Sequence, residues 1–293
     1  DVVGVDINIK RPVSIINYRH PRLYPICADV KNFNKISGII NKFKPEFIFH
    51  LAAQAIVGEA NKNPRETFKD NIEGTWNILE AARRTEAVKN IIIASSDKAY
   101  GVANKLPYRE ESRLCGIYPY DVSKSCADLI SFAYFKSFFS PVSVVRCGNI
   151  YGPADFHFNR IVPDAIRSAL SGKTLFIRSD GKFTRDYIYV GDVVAGYLKL
   201  ARQMKKKKIY GEAFNFSNEI PVSVLDLVKK IYMLTGRRPK YKILNRAKCE
   251  IEDQYLSSRK ARKVLGWKPK ASFEDLVKMM VKYDIEFEKR NVK

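Results

Sequence analysis

An apolar run that ends abruptly in polar side chains is the feature that most constrains this sequence. It covers Asn90–Ala94, with the sequence NIIIA, and leads into Ser95, Ser96, Asp97 and Lys98. A β-branched run of this length predicts a strand that is buried on both faces of a parallel sheet. Because ligands of open α/β sheets bind at the carboxyl ends of the strands, we expect the polar residues to lie where chemistry takes place.

A second pattern follows after a polar loop. Tyr120 and Lys124 stand four residues apart behind Pro119, which suits the first turn of a helix, so their side chains share one helix face. A phenol has an unperturbed pKa of about 10, and a nearby ammonium favours the phenolate. These two residues and the Ser96 hydroxyl could therefore take a proton from an alcohol while a hydride leaves its carbon. An ordinary exposed helix turn is the alternative interpretation.

Strand and helix patterns alternate along the rest of the chain. This alternation predicts an α/β fold with a Rossmann-type doubly wound parallel sheet and a smaller C-terminal α/β lobe. We assign residues 1–152 and about 184–203 to the sheet domain, and residues 153–183 and 204–293 to the lobe.

Three local predictions accompany this division. Pro64 is expected to begin one long helix that carries Asn71, and Asp192 is expected to cap a helix that begins at Val193. His50 follows a buried strand, where such a residue is more often packed and hydrogen-bonded than catalytic.

Composition narrows the class of protein. The 293 residues carry a net charge of +21, but the basic residues are scattered, which favours a lysine-rich surface over nucleic-acid binding. The dense run Lys205–Lys208 is expected to be a solvated loop. No apolar run is long enough to span a membrane, and three histidines offer no His-based metal site. Five cysteines without a C-x-x-C pattern favour a reduced, cytoplasmic protein.

Several motifs occur together in an order that resembles one family, the extended short-chain dehydrogenases/reductases of the nucleotide-sugar epimerase/dehydratase group. In the numbering of this chain these motifs are His50–Ala53, Asn71–Thr75, Ser95–Gly101, Tyr120-x-x-x-Lys124, Arg146–Pro153, Arg185–Tyr187 and Leu265–Trp267. The resemblance covers nearly the whole chain, from Val2 to about Asp284.

The resemblance implies roles for individual residues, an NAD cofactor, a nucleotide-diphosphate sugar as substrate and a homodimer built through long helices. The implied catalytic residues are Ser96, Asp97, Lys98, Tyr120 and Lys124. The implied cofactor-binding residues are Asp6, Asp29, Val30, Leu51, Ala52, Ala53, Asn71, Tyr120 and Lys124. The implied substrate-binding residues are Asn149, Asn159, Arg160 and Arg185.

The beginning of the sequence departs from the pattern of this family. Val2–Asp6 reads as a strand that ends in an acid, and Asp6 fits the acidic residue that binds the adenine ribose. The glycine-rich turn that precedes such an acid does not occur, so we expect roughly 25–30 residues of the family's fold to be missing. Asp6 favours NAD over NADP because it would repel a 2′-phosphate, although Lys10 and Arg11 lie close by.

The pair Asp97–Lys98 bears on the type of reaction. A 4,6-dehydratase needs an acid–base pair beside the oxidising group, whereas a 4-epimerase does not. Most dehydratases of the group have Asp-Glu at this point, and Asp-Lys resembles the CDP-glucose 4,6-dehydratase subgroup. We therefore expect a nucleotide-sugar 4,6-dehydratase. A UDP-sugar 4-epimerase and a non-catalytic binder of NAD or a sugar nucleotide remain the alternatives.

Overall fold

The computed structural model describes residues 1–9, 20–103, 105–247 and 249–291 of the chain. These residues form two compact units. The first unit comprises Asp1–Val102, Arg113–Arg146 and Leu200–Phe214. The second unit comprises Ala103–Ser112, Cys147–Lys199 and Asn215–Lys293.

Strands and helices alternate through the first half of the chain. They are β1 (Val2–Asp6), β2 (Leu23–Cys27), α1 (Phe33–Phe43), β3 (Phe47–His50), α2 (Val57–Lys62), α3 (Pro64–Phe68), α4 (Gly74–Arg83), β4 (Asn90–Ala94), α5 (Pro119–Phe138) and β5 (Val142–Cys147). A π-helical turn, Lys69–Glu73, joins α3 to α4, and a 3-10 turn, Asp97–Tyr100, follows β4.

The alternation continues in the second half with shorter strands. They and their helices are β6 (Asn149–Tyr151), α6 (Ile161–Ser171), β7 (Leu175–Ile177), β8 (Thr184–Tyr189), α7 (Val190–Lys207), β9 (Ala213–Phe216), β10 (Pro221–Ser223), α8 (Val224–Leu234), β11 (Tyr241–Ile243), β12 (Asp253–Gln254) and α9 (Phe273–Asn291). A second π-helical turn, Ala261–Leu265, precedes α9.

The strands pair mostly in parallel, as the sequence predicts. The order of the main sheet is β3-β4-β5-β9, in which β4 pairs parallel with both β3 and β5. β1 pairs parallel with β2, and β7 pairs parallel with β11. β8 pairs parallel with β6 and β12 and antiparallel with β10. This pattern of parallel strands with intervening helices confirms the predicted α/β fold.

The strand β4 lies in the main sheet with its side chains buried. Ile91 and Ile93 pack in a cluster with Ile36 of α1, Leu79 of α4 and Val142 of β5. Full burial of such a side chain stabilises the fold by roughly 1.5–3 kcal/mol. The apolar part of β4 therefore anchors the strand firmly, and this fixes the position of the polar residues that follow it.

The predicted long helix after Pro64 is interrupted. The Asn71 side chain lies in the π-helical turn, where its Oδ1 accepts a hydrogen bond of 2.7 Å from the Gln54 backbone N–H. Its Nδ2 donates to the Gln54 carbonyl at 3.0 Å and to the Ser123 hydroxyl at 2.8 Å. The π-helical turn thus accompanies a buried side chain whose hydrogen bonds reach outside its own helix, which amphipathic spacing alone does not predict.

The prediction that Asp192 caps a helix beginning at Val193 is wrong. The helix α7 begins at Val190, directly after β8 ends at Tyr189, so Asp192 lies within its first turn. The Asp192 carboxylate accepts hydrogen bonds of 3.1 Å from the backbone N–H groups of Lys270 and Ala271. The residue therefore binds a distant loop rather than the beginning of its own helix.

The lysine run is also not a loop. Lys205, Lys206 and Lys207 form the last turn of α7, and Lys208 leaves the helix with a left-handed φ of 53°. Cations are favourable at this end of a helix because they interact with the negative end of its dipole.

Among the helices that the structure describes, none combines the length and the apolar character that a membrane span requires.

Gly101 should be sensitive to substitution. It ends the 3-10 turn at φ 67° and ψ −154°, and an added Cβ would lie 1.8 Å from the Cys115 carbonyl oxygen. We expect Gly101→Ala to lower the free energy of unfolding by about 1–3 kcal/mol from backbone strain, with the steric clash adding to this. Urea unfolding followed by circular dichroism measures the change.

Gly38 offers the matched control. It lies inside α1, and no heavy atom would lie within 4 Å of an added Cβ. Gly38→Ala should raise the free energy of unfolding by roughly 0.5–1 kcal/mol, because alanine loses less conformational entropy in a helix. A Gly101→Ala variant as stable as the wild type would contradict the strained turn.

Candidate active site

The Lys124 ammonium binds the carboxyl end of β4. Its Nζ donates a hydrogen bond of 2.8 Å to the Ala94 carbonyl and lies 5.9 Å from the centroid of the Tyr120 ring. Both side chains are buried. Burial lowers the pKa of Lys124 to about 8, and the negative charge of Asp128 opposes this fall. The structure thus brings the predicted ammonium and the predicted phenol together at the predicted strand end.

The predicted catalytic residues Ser96 and Asp97 follow shortly after β4, which ends at Ala94. Ser96 and Asp97 are buried, and the Ser96 hydroxyl donates a hydrogen bond of 2.9 Å to Asp97 Oδ1. The same hydroxyl accepts the Lys98 backbone N–H at 3.2 Å and so caps the 3-10 turn. The turn thus places the buried Asp97 next to Lys98, which is half-buried.

Asn71 connects this region to the helix before it. Its Nδ2 donates to the Ser123 hydroxyl, which donates to the Tyr120 carbonyl at 2.7 Å. Asn71 therefore fixes the turn of α5 that carries Tyr120. Its predicted contact with a cofactor stays a prediction.

His50 is packed and hydrogen-bonded at the end of β3, in agreement with the sequence interpretation. Its Nε2 lies 3.1 Å from the Thr75 hydroxyl, which donates at 2.6 Å to the Asn71 carbonyl. Burial lowers the pKa of His50 to about 3, and the positive charge of Lys124 adds to this effect. The imidazole is therefore neutral at neutral pH and does not compete with Lys124 for a proton.

The predicted cofactor residues of the first two strands lie at strand ends. Asp6 ends β1 and is exposed, and its Oδ1 accepts a hydrogen bond of 2.8 Å from the Asn8 backbone N–H. Asp29 follows β2 and pairs with Lys31 at 3.3 Å. The Val30 carbonyl accepts a hydrogen bond of 3.0 Å from Asn77 of α4. Lys10 and Arg11, which left NADP open, lie outside the described residues.

The segment after β3 presents an apolar surface. Leu51 is 62% exposed, Ala52 is also exposed, and Ala53 is half-buried. The small side chains of Ala52 and Ala53 let a ligand approach the backbone closely, and the exposed Leu51 before them suits contact with a flat ring. Their contact with a dinucleotide stays a prediction.

The predicted substrate residues all belong to the second unit. On β6, Asn149 lies opposite Tyr187 of β8 and hydrogen-bonds its hydroxyl. On β8, the Arg185 guanidinium is buried and donates to the carbonyls of Thr184 at 2.9 Å and Glu252 at 2.6 Å. The structure thus places Asn149 and Arg185 on neighbouring strands.

The other two predicted substrate residues precede α6. Arg160 pairs with Asp155 at 3.3 Å on the surface, and the Asn159 carbonyl accepts a hydrogen bond of 3.1 Å from Arg178. Their roles, like those of Asn149 and Arg185, stay predictions.

Sequence reasoning missed a buried ion pair between α5 and β5, within the first unit. Arg146 of β5 donates to Asp128 of α5 at 2.7 Å and to the Tyr100 hydroxyl at 2.7 Å, and the Ser95 hydroxyl also contacts Asp128. The available signal was spacing, since Asp128 follows Lys124 by one helical turn.

Among the described residues, no group of three or more His, Cys, Asp or Glu side chains could hold a metal ion.

Comparison with known proteins identifies a family. The family model described as GDP-mannose 4,6 dehydratase matches residues 8–280. The CDP-glucose 4,6-dehydratase of Salmonella typhimurium is 30% identical over 271 residues, which cover 87% of this chain and 75% of that protein. These matches confirm the resemblance drawn from the motifs.

Solved structures share the fold over almost the entire chain. A UDP-glucose 4-epimerase from Thermotoga maritima, solved with UDP-glucose, has a TM-score of 0.86 at 27% identity and covers 98% of this chain and 91% of its own. A dTDP-glucose 4,6-dehydratase from Bacillus anthracis, solved with NAD, has a TM-score of 0.84 at 24% identity, with 98% and 88% covered. The second likeness shows the fold alone.

The low pKa of His50 should make stability depend on pH. The unfolded imidazole takes up a proton below about pH 6.5, whereas the folded one does so only near pH 3, so stability is lost as the pH falls through this window. Between pH 7 and pH 5 this residue should cost about 2 kcal/mol of unfolding free energy. Urea unfolding at pH 7, 6 and 5 measures the loss.

Two variants isolate this effect. His50→Gln keeps a polar partner for Thr75 and should remove most of the loss between pH 7 and pH 5. His157→Gln, which changes an exposed imidazole, should leave the loss unchanged. If the His50 variant and the wild type lost equal stability, the low pKa would be refuted.

Proposed function

The chain belongs to the GDP-mannose 4,6 dehydratase family, and we propose from this membership and the site geometry that it is an NAD-dependent nucleotide-sugar 4,6-dehydratase. The reaction oxidises C4 of the sugar, removes water across C5 and C6, and gives a 4-keto-6-deoxy sugar nucleotide. One observation carries the proposal. The Lys124 ammonium, beside Tyr120, binds the strand end from which Ser96 and Asp97 continue.

Tyr120 is the proposed base for the C4 hydroxyl. The adjacent Lys124 charge favours its phenolate form, and the Ser96 hydroxyl shares the substrate oxygen. Since burial lowers the pKa of Lys124 to about 8, the ammonium persists at neutral pH and is lost as the pH rises above that value. The alkaline limit of activity is expected to follow this proton.

NAD is the proposed cofactor, and when bound it supplies the acceptor for the C4 hydride, which is later returned to C6. The residues that would hold it are Asp6, Asp29, Val30, Leu51, Ala52, Ala53, Asn71, Tyr120 and Lys124. The exposed surface formed by Leu51 and Ala52 after β3 supports this assignment.

Asp97 and Lys98 are proposed to carry out the elimination. The C5 proton is acidic once C4 is a ketone, and the C6 oxygen must gain a proton to leave as water. Asp97 is the acid for the C6 oxygen, while Lys98 assists removal of the C5 proton or stabilises the enolate. Both residues lie in the turn that Ser96 caps, next to the proposed oxidising group.

A 4-epimerase is the second candidate, favoured by the 27% identity to the Thermotoga maritima enzyme. Such an enzyme needs Tyr120, Lys124 and Ser96 but no acid–base pair for elimination. The buried Asp97 beside Ser96 favours the dehydratase.

Product analysis should decide between the two reactions. The purified protein is incubated in D₂O with NAD and, separately, with CDP-glucose, GDP-mannose, dTDP-glucose, UDP-glucose and UDP-glucuronate. We expect mass spectrometry to show the loss of one water and the gain of deuterium at C5 for at least one of these sugars. Conversion without a change in mass, apart from exchange, would defeat the dehydratase and support the epimerase.

Two variants assign the steps. Tyr120→Phe should lower conversion by about 10²–10⁴-fold, since it removes the proposed base. Asp97→Asn should still form the reduced nicotinamide, seen by its absorbance, but should not release water. Unchanged dehydration by Lys98→Ala would remove that residue from the mechanism.

A homodimer is proposed through α4 and α5, which pack beside each other. Trp76 of α4 is 43% exposed, and Leu129 and Phe132 of α5 are 58% and 49% exposed. Exposed large apolar side chains on neighbouring helices are typical of an interface, and a second copy supplies the same apolar surface.

The five free cysteines support the cytoplasm as the proposed compartment.

A charge in this surface should separate the dimer. We expect Phe132→Glu to shift the protein from dimer to monomer in analytical ultracentrifugation, because a carboxylate would be buried without a partner. Met233→Glu places the same charge on another exposed apolar residue, in α8 of the second unit, and should leave the dimer intact. A monomeric wild type would refute the dimer.

A further inference from the structure

The ion pair of Asp128 and Arg146 is almost completely buried. The two side chains are 4% and 6% exposed, and Arg146 Nη2 and Nε both donate to the Asp128 carboxylate, at 2.7 Å and 3.2 Å. A buried pair of this kind adds little stability compared with apolar side chains of the same size. Stability alone therefore does not explain this ion pair, which lies one helical turn from the proposed catalytic Lys124.

Asp128 is connected to both sides of the site. It lies one helical turn after Lys124 in α5 and two turns after Tyr120. Its Oδ2 contacts the Ser95 hydroxyl, which also lies 3.4 Å from the Lys124 carbonyl. Ser95 itself stands between Ala94, which accepts the Lys124 ammonium, and Ser96.

Arg146 holds Asp128 from the neighbouring strand. Its Nη1 donates to the Tyr100 hydroxyl at 2.7 Å, and its guanidinium lies 4.8 Å from the centroid of the Tyr100 ring. Tyr100 ends the turn that begins with Asp97. The pair thus joins α5, β5, the end of β4 and the turn of the proposed elimination residues.

We propose that Asp128 is a positioning residue, which fixes the Lys124 ammonium and the Ser96 hydroxyl relative to each other through Ser95 and Arg146. The inference rests on the proposed function for its effect on catalysis. Asp128 touches neither substrate nor cofactor in this proposal. It acts through the strand end and through its charge.

The electrostatics agree with this role. The titratable groups that the described structure places against this turn of α5 are His50 of β3, Tyr100, Tyr120 and Arg146. His50 is neutral at neutral pH and adds no charge beside Lys124. The negative charge of Asp128 raises the pKa of Lys124 against the effect of burial. Burial also acts to lower the pKa of Arg146, but Asp128 and Tyr100 raise it, so Arg146 stays charged.

Replacement of Asp128 tests the proposal with a measurement that needs no substrate. The protein is labelled with ¹³C at lysine Cε, and the signal that Lys124→Met deletes is followed against pH by NMR. In Asp128→Asn we expect the titration midpoint of Lys124 to move to lower pH, because the negative charge is lost and Arg146 is left unpaired. Asp128→Glu, which keeps the charge, should restore the midpoint.

The steady-state kinetics supply the second readout. Asp128→Asn should lower kcat roughly 10- to 100-fold, as expected for a displaced catalytic group, with the KM for the nucleotide sugar within about twofold of wild type. The alkaline limb of its pH profile should move to lower pH together with the NMR midpoint. Asp128→Glu should recover most of the kcat.

The outcomes separate a positioning role from a merely structural one. A midpoint that stays in place in Asp128→Asn overturns the inference even if kcat falls, because lost packing explains that fall. A moved midpoint with kcat within twofold of wild type overturns it as well. If the wild type converts no nucleotide sugar, the proposed function fails, and the titration alone decides the inference.

A second variant covers the case in which the unpaired arginine prevents folding. Asp128→Asn combined with Arg146→Gln removes both charges and leaves no isolated buried ion. The Lys124 midpoint should again move to lower pH in this variant, since Asp128 contacts Ser95 next to the lysine while Arg146 lies beyond it. A wild-type midpoint in the double variant overturns the inference.

Discussion

One hydrogen bond, from the buried Lys124 ammonium to the Ala94 carbonyl, ties α5 to the carboxyl end of β4. A buried ammonium is costly in free energy unless it is hydrogen-bonded, and the cost appears as a pKa near 8. The bond also sets where Tyr120 and Ser96 can lie, because each is close in sequence to one of its partners. Within the first unit, the relative positions of α5 and the residues after β4 depend on this contact.

The strand β4 combines two tasks along its length. Its isoleucines pack between α1, α4 and β5 and hold the strand by apolar burial. Just beyond it, the Ser96 hydroxyl and the Asp97 carboxylate are buried and hydrogen-bonded to each other. A rigid apolar anchor directly before a polar cluster gives the proposed catalytic groups fixed positions, which acid–base chemistry requires.

Much of this arrangement could be predicted from the sequence because it depends on local patterns. The β-branched run predicted β4, and the four-residue spacing of Tyr120 and Lys124 predicted their shared helix face. The buried contacts of Asp128 could not be predicted, since a polar residue in a helix usually faces solvent and its partner, Arg146, lies 18 residues away. The start of α7 at Val190 was missed for a similar reason, because Asp192 binds the backbone near Lys270 instead of its own helix.

The π-helical turn at Asn71 has a consequence for the phase of the helix around it. Each residue of an α-helix advances the chain by about 100°, so the wider turn shifts the faces of α4 relative to those of α3. This shift bears on two neighbours: Val30, whose side chain would lie 2.6 Å from a Cβ added at Gly74, and Ser123, which accepts a hydrogen bond from Asn71. Deleting a single residue here would restore regular α-helical hydrogen bonding and yet rotate one of these partners away, so the length of this segment is as constrained as its composition.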